Sequence, residues 1–170
     1  QKRFLQIIED KARHLAKIVD DVLLINQLEL DKTKFNPVLV DLPQLFGDLI
    51  QEQQHIAGDR HKLILTIIGD SQGFSGDRGL LRQIFFNLMS NAIKYSPHGG
   101  KIELNIIGKS SEIIFQIVDE GIGIPLEEQE NLFQSFFRAS NTDTLPGTGL
   151  GLAITKACVE LHGGNIDFES

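Results

Sequence analysis

The sequence predicts an α+β fold: a two-layer sandwich in which three helices lie on one face of a mixed, mostly antiparallel sheet, preceded by a long bundle helix. Three observations predict it. Apolar residues recur at helical spacing from Leu5 onward, strand-like runs alternate with helical ones after Pro37, and pairs such as Ser96-Pro97 and Gly99-Gly100 punctuate the boundaries.

The leading segment carries Leu5, Ile8, Ala12, Leu15, Val19, Val22 and Asn26 at alternating steps of three and four, the a/d seam of a coiled coil or helical bundle. A second apolar set, Ile7, Ile18, Ile25 and Leu28, flanks that seam, so more than one neighbour is expected. Asn26 either fixes register or lies near a fraying bundle end. Asn36-Pro37 stops the helix, because the residue before a proline is pushed toward extended geometry. A boundary is therefore expected within residues 32–36, dividing the chain into a partial bundle helix over 1–34 and a second domain over 35–170.

Within that domain the pattern predicts a strand at 38–40, a helix at 42–57 and a strand at 63–68. A second helix starts near Asp77, its N-cap, and runs to Tyr95. Strands follow at 102–107 and 113–118. A stretch at 131–149 mixes Phe133, Phe136 and Phe137 with small polar residues, as a mobile loop with an apolar anchor would. The last helix spans about 150–161, and a final strand is expected from Asn165.

Composition narrows the function. At 170 residues the chain can bury a sizeable core, and its 41% hydrophobic and 23% charged residues are those of a water-exposed globular protein with no bilayer-length apolar run. A formal charge of -7 excludes a general nucleic-acid binder, since phosphate backbones attract a basic surplus. Any phosphate ligand must be held locally, by a metal and by backbone N–H groups. The single cysteine, Cys158, sits among apolar neighbours and reads as a small buried hydrophobe, in keeping with a cytoplasmic setting. Residues 1–10 show no export signal.

Three motifs carry chemistry. Asn87, Asn91, Lys94 and Tyr95 share one face of a predicted helix. Asn91 offers a hard oxygen suited to Mg²⁺ and Lys94 a point charge for phosphate, although amides on a helix also bond neighbouring backbone. Asp119-Glu120-Gly121-Ile122-Gly123 follows a strand, so Asp119 can accept a hydrogen bond from an exocyclic amine while glycines admit a ligand closely; an ordinary glycine turn is the bland alternative. Gly147-Thr148-Gly149-Leu150-Gly151 opens a helix, where unpaired N–H groups and the positive dipole end favour phosphate. The preceding segment is a proline-containing loop and not a strand, which disfavours a dinucleotide fold, and the lysine-serine ending of a Walker loop is absent.

The order of these motifs, with the Phe-rich segment between the last two, resembles the N, G1, F and G2 boxes of sensor histidine kinases of two-component systems. Arg13-His14-Leu15 through Leu28-Glu29 resembles the second helix of that family's dimerisation and histidine-phosphotransfer bundle, and His162-Gly163-Gly164 matches its closing signal. The resemblance covers essentially the whole chain and implies a Bergerat-type ATP-binding fold. It implies that Asn91 binds Mg²⁺, that Asn87 shapes the phosphate side, and that Asp119 reads the adenine amino group. Lys94 and Arg138 would meet the terminal phosphates, and Tyr95 would pack near the purine. Gly121, Gly123, Phe133, Gly147, Thr148, Gly149, Leu150 and Gly151 would complete the nucleotide site, with a lid over roughly 133–148.

Two departures stand out. Gln134-Ser135 replaces the usual Glu-Arg of the F box, so one basic lid contact is missing and Arg138 gains importance. Asn87 stands where related gyrase-type ATPases carry a glutamate base; an amide cannot take a proton from water, so poor hydrolysis is expected. None of His14, His55, His61, His98 or His162 is followed by the family's acceptor pattern, so the phosphorylated histidine is expected outside this chain. The implied activity is ATP-dependent protein-histidine kinase. Partners would be a second copy through the bundle helix and a response-regulator receiver domain, with membrane contact only through segments beyond this chain. A nucleotide-sensing scaffold without transfer and a gyrase-type ATPase are the alternatives.

Overall fold

A computed structural model describes residues 2–29, 34–142 and 145–170. Part of the expected boundary (30–33), two lid residues (143–144) and the side chains of Ile7, Arg13 and His14 lie outside the described residues.

The bundle helix α1 spans Lys2–Glu29. Its exposure divides along its length: Leu5, Ile8, Leu15 and Val19 of the seam are exposed, whereas Val22 of the seam and Ile25 of the flanking set are partly buried against the core and Leu28 is buried. The second neighbour expected from the sequence is thus within the chain itself, because α1 packs on the last helix, α4, Gly151–Leu161. Asn26, at the seam's polar position, donates back to Val22 O at 3.1 Å on its own helix.

After the linker, β1 (Val38–Leu39) pairs antiparallel with β3 (Ser75–Gly76), a two-residue strand that the sequence pattern had not announced because Gly and Ser carry no alternation. Helix α2 covers Leu42–Ala57. Asp41 caps it by accepting from Gln44 N at 2.9 Å, Pro43 occupies its first turn, and Gly58 at φ 65° ends it. Its apolar stripe, Leu42, Leu45, Phe46 and Leu49, is buried.

The main sheet comprises β2 (His61–Gly69), β4 (Gly100–Gly108) and β5 (Ile113–Asp119) in the order β2-β4-β5. β2 and β4 run parallel from His61↔Gly100 to Gly69↔Gly108, and β4 and β5 antiparallel from Ile102↔Asp119 to Gly108↔Ile113. Parallel pairing requires a crossover, which α3 (Arg78–Tyr95) supplies. Ile102, Leu104 and Ile106 alternate onto the buried face, against α2 and α3. There Phe46 and Phe85 meet edge to face, centroids 4.7 Å apart. Helix α4 packs on α3 and buries Ile154 and Cys158.

The expected last strand is not formed. Residues 165–170 carry no ladder pairing; instead the Phe168 ring packs on Phe133, and Ser170 Oγ accepts from Ile124 N at 2.7 Å. These contacts are to side chains and a loop, so no strand edge is engaged.

Candidate functional site

Helix α3 projects the four residues singled out from the sequence. Its start is fixed by Asp77, whose carboxylate accepts from Gly79 N at 2.9 Å, Leu80 N at 3.1 Å and Asn36 N at 3.1 Å. Further along, Asn87 Nδ2 donates to Thr155 Oγ1 at 2.9 Å, tying α3 to α4. Asn91, one turn later, is half-buried and makes no side-chain hydrogen bond among the described residues. The bland reading of both amides therefore applies to neither: Asn87 bonds another helix and Asn91 stays available. Lys94 Nζ donates to Tyr95 Oη at 2.5 Å and lies 4.0 Å from the Tyr95 ring centroid. Burial, together with the cations Arg138 and Lys17, pushes the Lys94 ammonium down to about 8. Burial also raises the Tyr95 phenol.

Asp119 ends β5 in an exposed position, and its Oδ1 accepts from Gly121 N at 2.9 Å. A Cβ at Gly121 would lie 2.6 Å from that oxygen and 2.7 Å from Tyr95 O, so the turn tolerates only glycine there. Ile122 N donates to Tyr95 O at 3.0 Å, which staples the loop to the end of α3. Gly123 adopts φ 67°, and its carbonyl accepts from Asn141 Nδ2 at 3.0 Å. Asp119, Gly121 and Tyr95 thus form one corner.

The glycine turn before α4 forms the other corner. A Cβ at Gly147 would meet Lys94 Nζ at 2.9 Å, and one at Gly151 would meet Asn87 Oδ1 at 2.3 Å. The turn is pressed onto the amide-bearing face of α3. Thr148 Oγ1 accepts from Leu150 N at 3.2 Å, and Leu150, the N-cap of α4, caps nothing with its own side chain. The first N–H groups of a helix have no carbonyl within it to bond, so those opening α4 can serve as anion donors. Gly149, at φ 74°, leaves room for the Phe136 backbone, whose N–H donates to Gly149 O at 2.9 Å.

Two predicted site residues are placed differently from the rest. Phe133 faces Phe168 and Lys156, not the corner at Asp119. Arg138 directs its guanidinium into the loop, donating to Thr142 O at 2.8 Å, Leu145 O at 2.5 Å and Gly147 O at 3.3 Å. Its charge still faces Lys94, but its donors brace the segment before the glycine turn. The sequence reading missed three residues that build the site. Phe136 holds the hinge at Gly149; it shares the aromatic run with Phe133, and only its positive φ of 65° distinguishes it. Thr155 receives the Asn87 bond. Asp21 of α1 accepts from Thr148 Oγ1 at 3.4 Å, and its signal was an acid standing at the spacing of Ile18, Ile25 and Leu28.

The family described as "Histidine kinase-, DNA gyrase B-, and HSP90-like ATPase" matches residues 76–170. The circadian input-output histidine kinase CikA of Thermosynechococcus vestitus is 36% identical over 177 residues, covering 100% of this chain and 24% of that protein. The sensor histidine kinase WalK of Bacillus subtilis is 32% identical over 169 residues, covering 96% and 28%. The solved histidine kinase AdeS of Acinetobacter baumannii superposes with a TM-score of 0.77 at 25% identity, over 94% of this chain and 74% of that one. The chain thus spans roughly a quarter of the length of these two curated relatives.

Proposed function

The chain belongs to the histidine kinase-, DNA gyrase B- and HSP90-like ATPase family, and from that premise we propose that it binds ATP with Mg²⁺ and donates the γ-phosphoryl group to a histidine of a dimerisation bundle, for relay to a receiver-domain aspartate. One observation carries the reading: the glycine turn is packed directly on Lys94 and Asn87, while Asp119 and Tyr95 O hold the neighbouring corner. A purine amine and a polyphosphate can therefore be held by the two ends of α3's one polar face.

Each residue has a definite task in this reading. Asp119 Oδ1 is engaged by Gly121, which aims the carboxylate and leaves Oδ2 to accept from the adenine amino group. Guanine carries a carbonyl at that position, offers Oδ2 no donor and sets one acceptor against another, so it would be rejected. Lys94 and the N–H groups that open α4, those of Gly151 and Leu152, stabilise the phosphates. Asn87 is locked to Thr155 and cannot act as a base, so water is not activated and the phosphoryl group is kept for transfer.

The residues present fit Mg²⁺. Asn91 holds a free amide oxygen, and no group of three or more His, Cys, Asp or Glu gathers among the described residues, so phosphate and water must complete the shell, as Mg²⁺ prefers. When bound, the ion neutralises charge on the phosphates. In the transfer, an imidazole nitrogen attacks the γ-phosphorus in line, the bond to the β-γ bridging oxygen breaks, and ADP leaves.

The exposed seam of α1 fits self-association into a bundle. Among the described residues no helix is long and apolar enough to cross a membrane. We take the catalytic part to work in the cytoplasm, whatever anchors the whole protein.

Isothermal calorimetry with Mg²⁺ tests the reading. Asp119→Ala should abolish ATP uptake, and Asn91→Ala should abolish phosphorylation of a separately supplied bundle fragment. Uptake that survives Asp119→Ala would sink the adenine assignment. A second reading, ATP binding without transfer, draws on Ser135 in the lid and on Arg138's bonding to loop carbonyls. It predicts normal uptake and an unlabelled bundle fragment.

A further inference from the structure

The bundle helix reaches the phosphate end of the site. Asp21 is only 7% exposed, and its carboxylate, raised by burial, accepts from Thr148, which in turn accepts from Leu150 N. This chain of bonds fixes α1 against the glycine turn. Lys17 lies one helical turn before Asp21 on the same face of α1, and its side chain is exposed. It stands within electrostatic reach of both Asp21 and Lys94, and Lys94 Nζ abuts Gly147. The Asp21 to Thr148 bond thus places this face of α1 at the glycine turn that Lys94 abuts, with Lys17 one turn along it, and Lys94 is faced by Lys17 from α1 and by Arg138 from the lid segment. Each of these cations repels Lys94, and an anion bound beside Lys94 relieves that repulsion.

We propose that Lys17 is a further phosphate-binding residue of this site, contributed by the bundle helix and held at the glycine turn by the Asp21 to Thr148 hydrogen bond. The inference rests on the reading that the site takes ATP. The group it meets is a terminal phosphate, since α1 packs on α4, whose first turn supplies the anion donors, while the adenine corner at Asp119 is built by α3 and β5. Asp21 touches no ligand; it is a positioning residue.

Calorimetric titrations with ATP, ADP and AMP, all with Mg²⁺, separate the possibilities. Lys17→Gln should weaken ATP about fivefold and leave AMP unchanged, whereas Lys17→Arg should keep the ATP affinity. Salt at about 0.5 M should erase the difference. Asp21→Ala should lower the ATP-to-AMP affinity ratio although Lys17 is intact. The thermal midpoint of Lys17→Gln should match the parent, because the residue is exposed. If the parent binds ATP and Lys17→Gln leaves the ATP-to-AMP ratio unchanged, Lys17 is not a phosphate ligand and this inference alone fails. If the parent binds no adenine nucleotide, this inference and the ATP reading fall together.

Discussion

Half-buried over the Tyr95 ring and faced by Arg138 and Lys17, the Lys94 ammonium gives up its proton near neutrality, at about 8. The sign of two effects follows. Phosphate binding needs the charged form, so ATP affinity should fall as pH rises through about 8, and Lys94→Met should remove that limb from the pH profile. Stability of the free protein moves the other way. The unfolded lysine keeps its proton to its ordinary range while the folded one has lost it, so stability should rise with pH between the two values, as denaturant titrations would register. Asp77 shows the opposite case. Burial alone would raise its carboxyl, but the N–H groups of Leu80, Asn36 and Gly79, aided by His162, hold it below the usual range. Its contribution is present above the unfolded value and lost as pH falls through the folded one. Asp77→Ala should cost about 1 kcal/mol at neutral pH, and less at low pH, in urea melts. Cys158 stays inert: burial lifts its thiol to about 11.

Three glycines of one turn should respond differently because their obstacles differ. At Gly147 the obstacle is the flexible tip of Lys94, so Gly147→Ala should leave stability nearly unchanged while displacing the ammonium and weakening ATP. At Gly149 the obstacle is Phe136 backbone and φ is 74°, so any side chain is strained twice over. At Gly151 an added methyl would sit 2.3 Å from Asn87 Oδ1 and break the Asn87 bond to Thr155; Gly151→Ala should cost about 1–3 kcal/mol in chemical denaturation. These distinctions were not legible in the sequence, where the three read alike. What was legible were elements whose cause is local. The helical pattern at 42–57 announced α2, Asp77 announced α3, and strand-like runs announced β2, β4 and β5 within two residues of their ends. Elements and contacts set by distant partners were not: β3 exists only through β1, residues 165–170 follow Phe133 and Ile124 into no strand, and Asp21 reads as an ordinary helix acid until Thr148 is opposite it. In the site, side-chain types were readable and side-chain aim was not: Lys94 lies over Tyr95 and Asp119 turns to Gly121 N, while Phe133 meets Phe168 and Arg138 donates to loop carbonyls.

At the scale of the whole molecule, the proposed transfer makes the fate of the phosphoryl group turn on which imidazoles keep a free nitrogen. An attacking nitrogen needs an unshared lone pair near the γ-phosphate. His162 has none to give: Asp77 N donates to its Nε2 at 3.0 Å, which leaves Nδ1 to carry the proton donated to Cys158 O at 2.7 Å. His61 is buried, with Nε2 2.8 Å from Ser96 O, which accepts only and so takes the proton of that nitrogen, and with Nδ1 turned to Ala57 O at 3.5 Å at the end of α2. His55 is exposed on α2, and His98 is exposed in the turn between α3 and β4, neither on the glycine turn. His14 belongs to α1, one turn before Lys17, and lacks the flanking acid of the acceptor pattern. The chain alone should therefore bind labelled ATP and transfer nothing to itself. A bundle fragment carrying the acceptor pattern, added in trans, should become labelled with acid-labile, base-stable phosphate, and Lys17→Gln should slow that labelling at subsaturating ATP without abolishing it. Label appearing on a histidine of the isolated chain, at the rate seen for the added fragment, would show that the acceptor is one of these five and that the division between donor site and external acceptor is wrong.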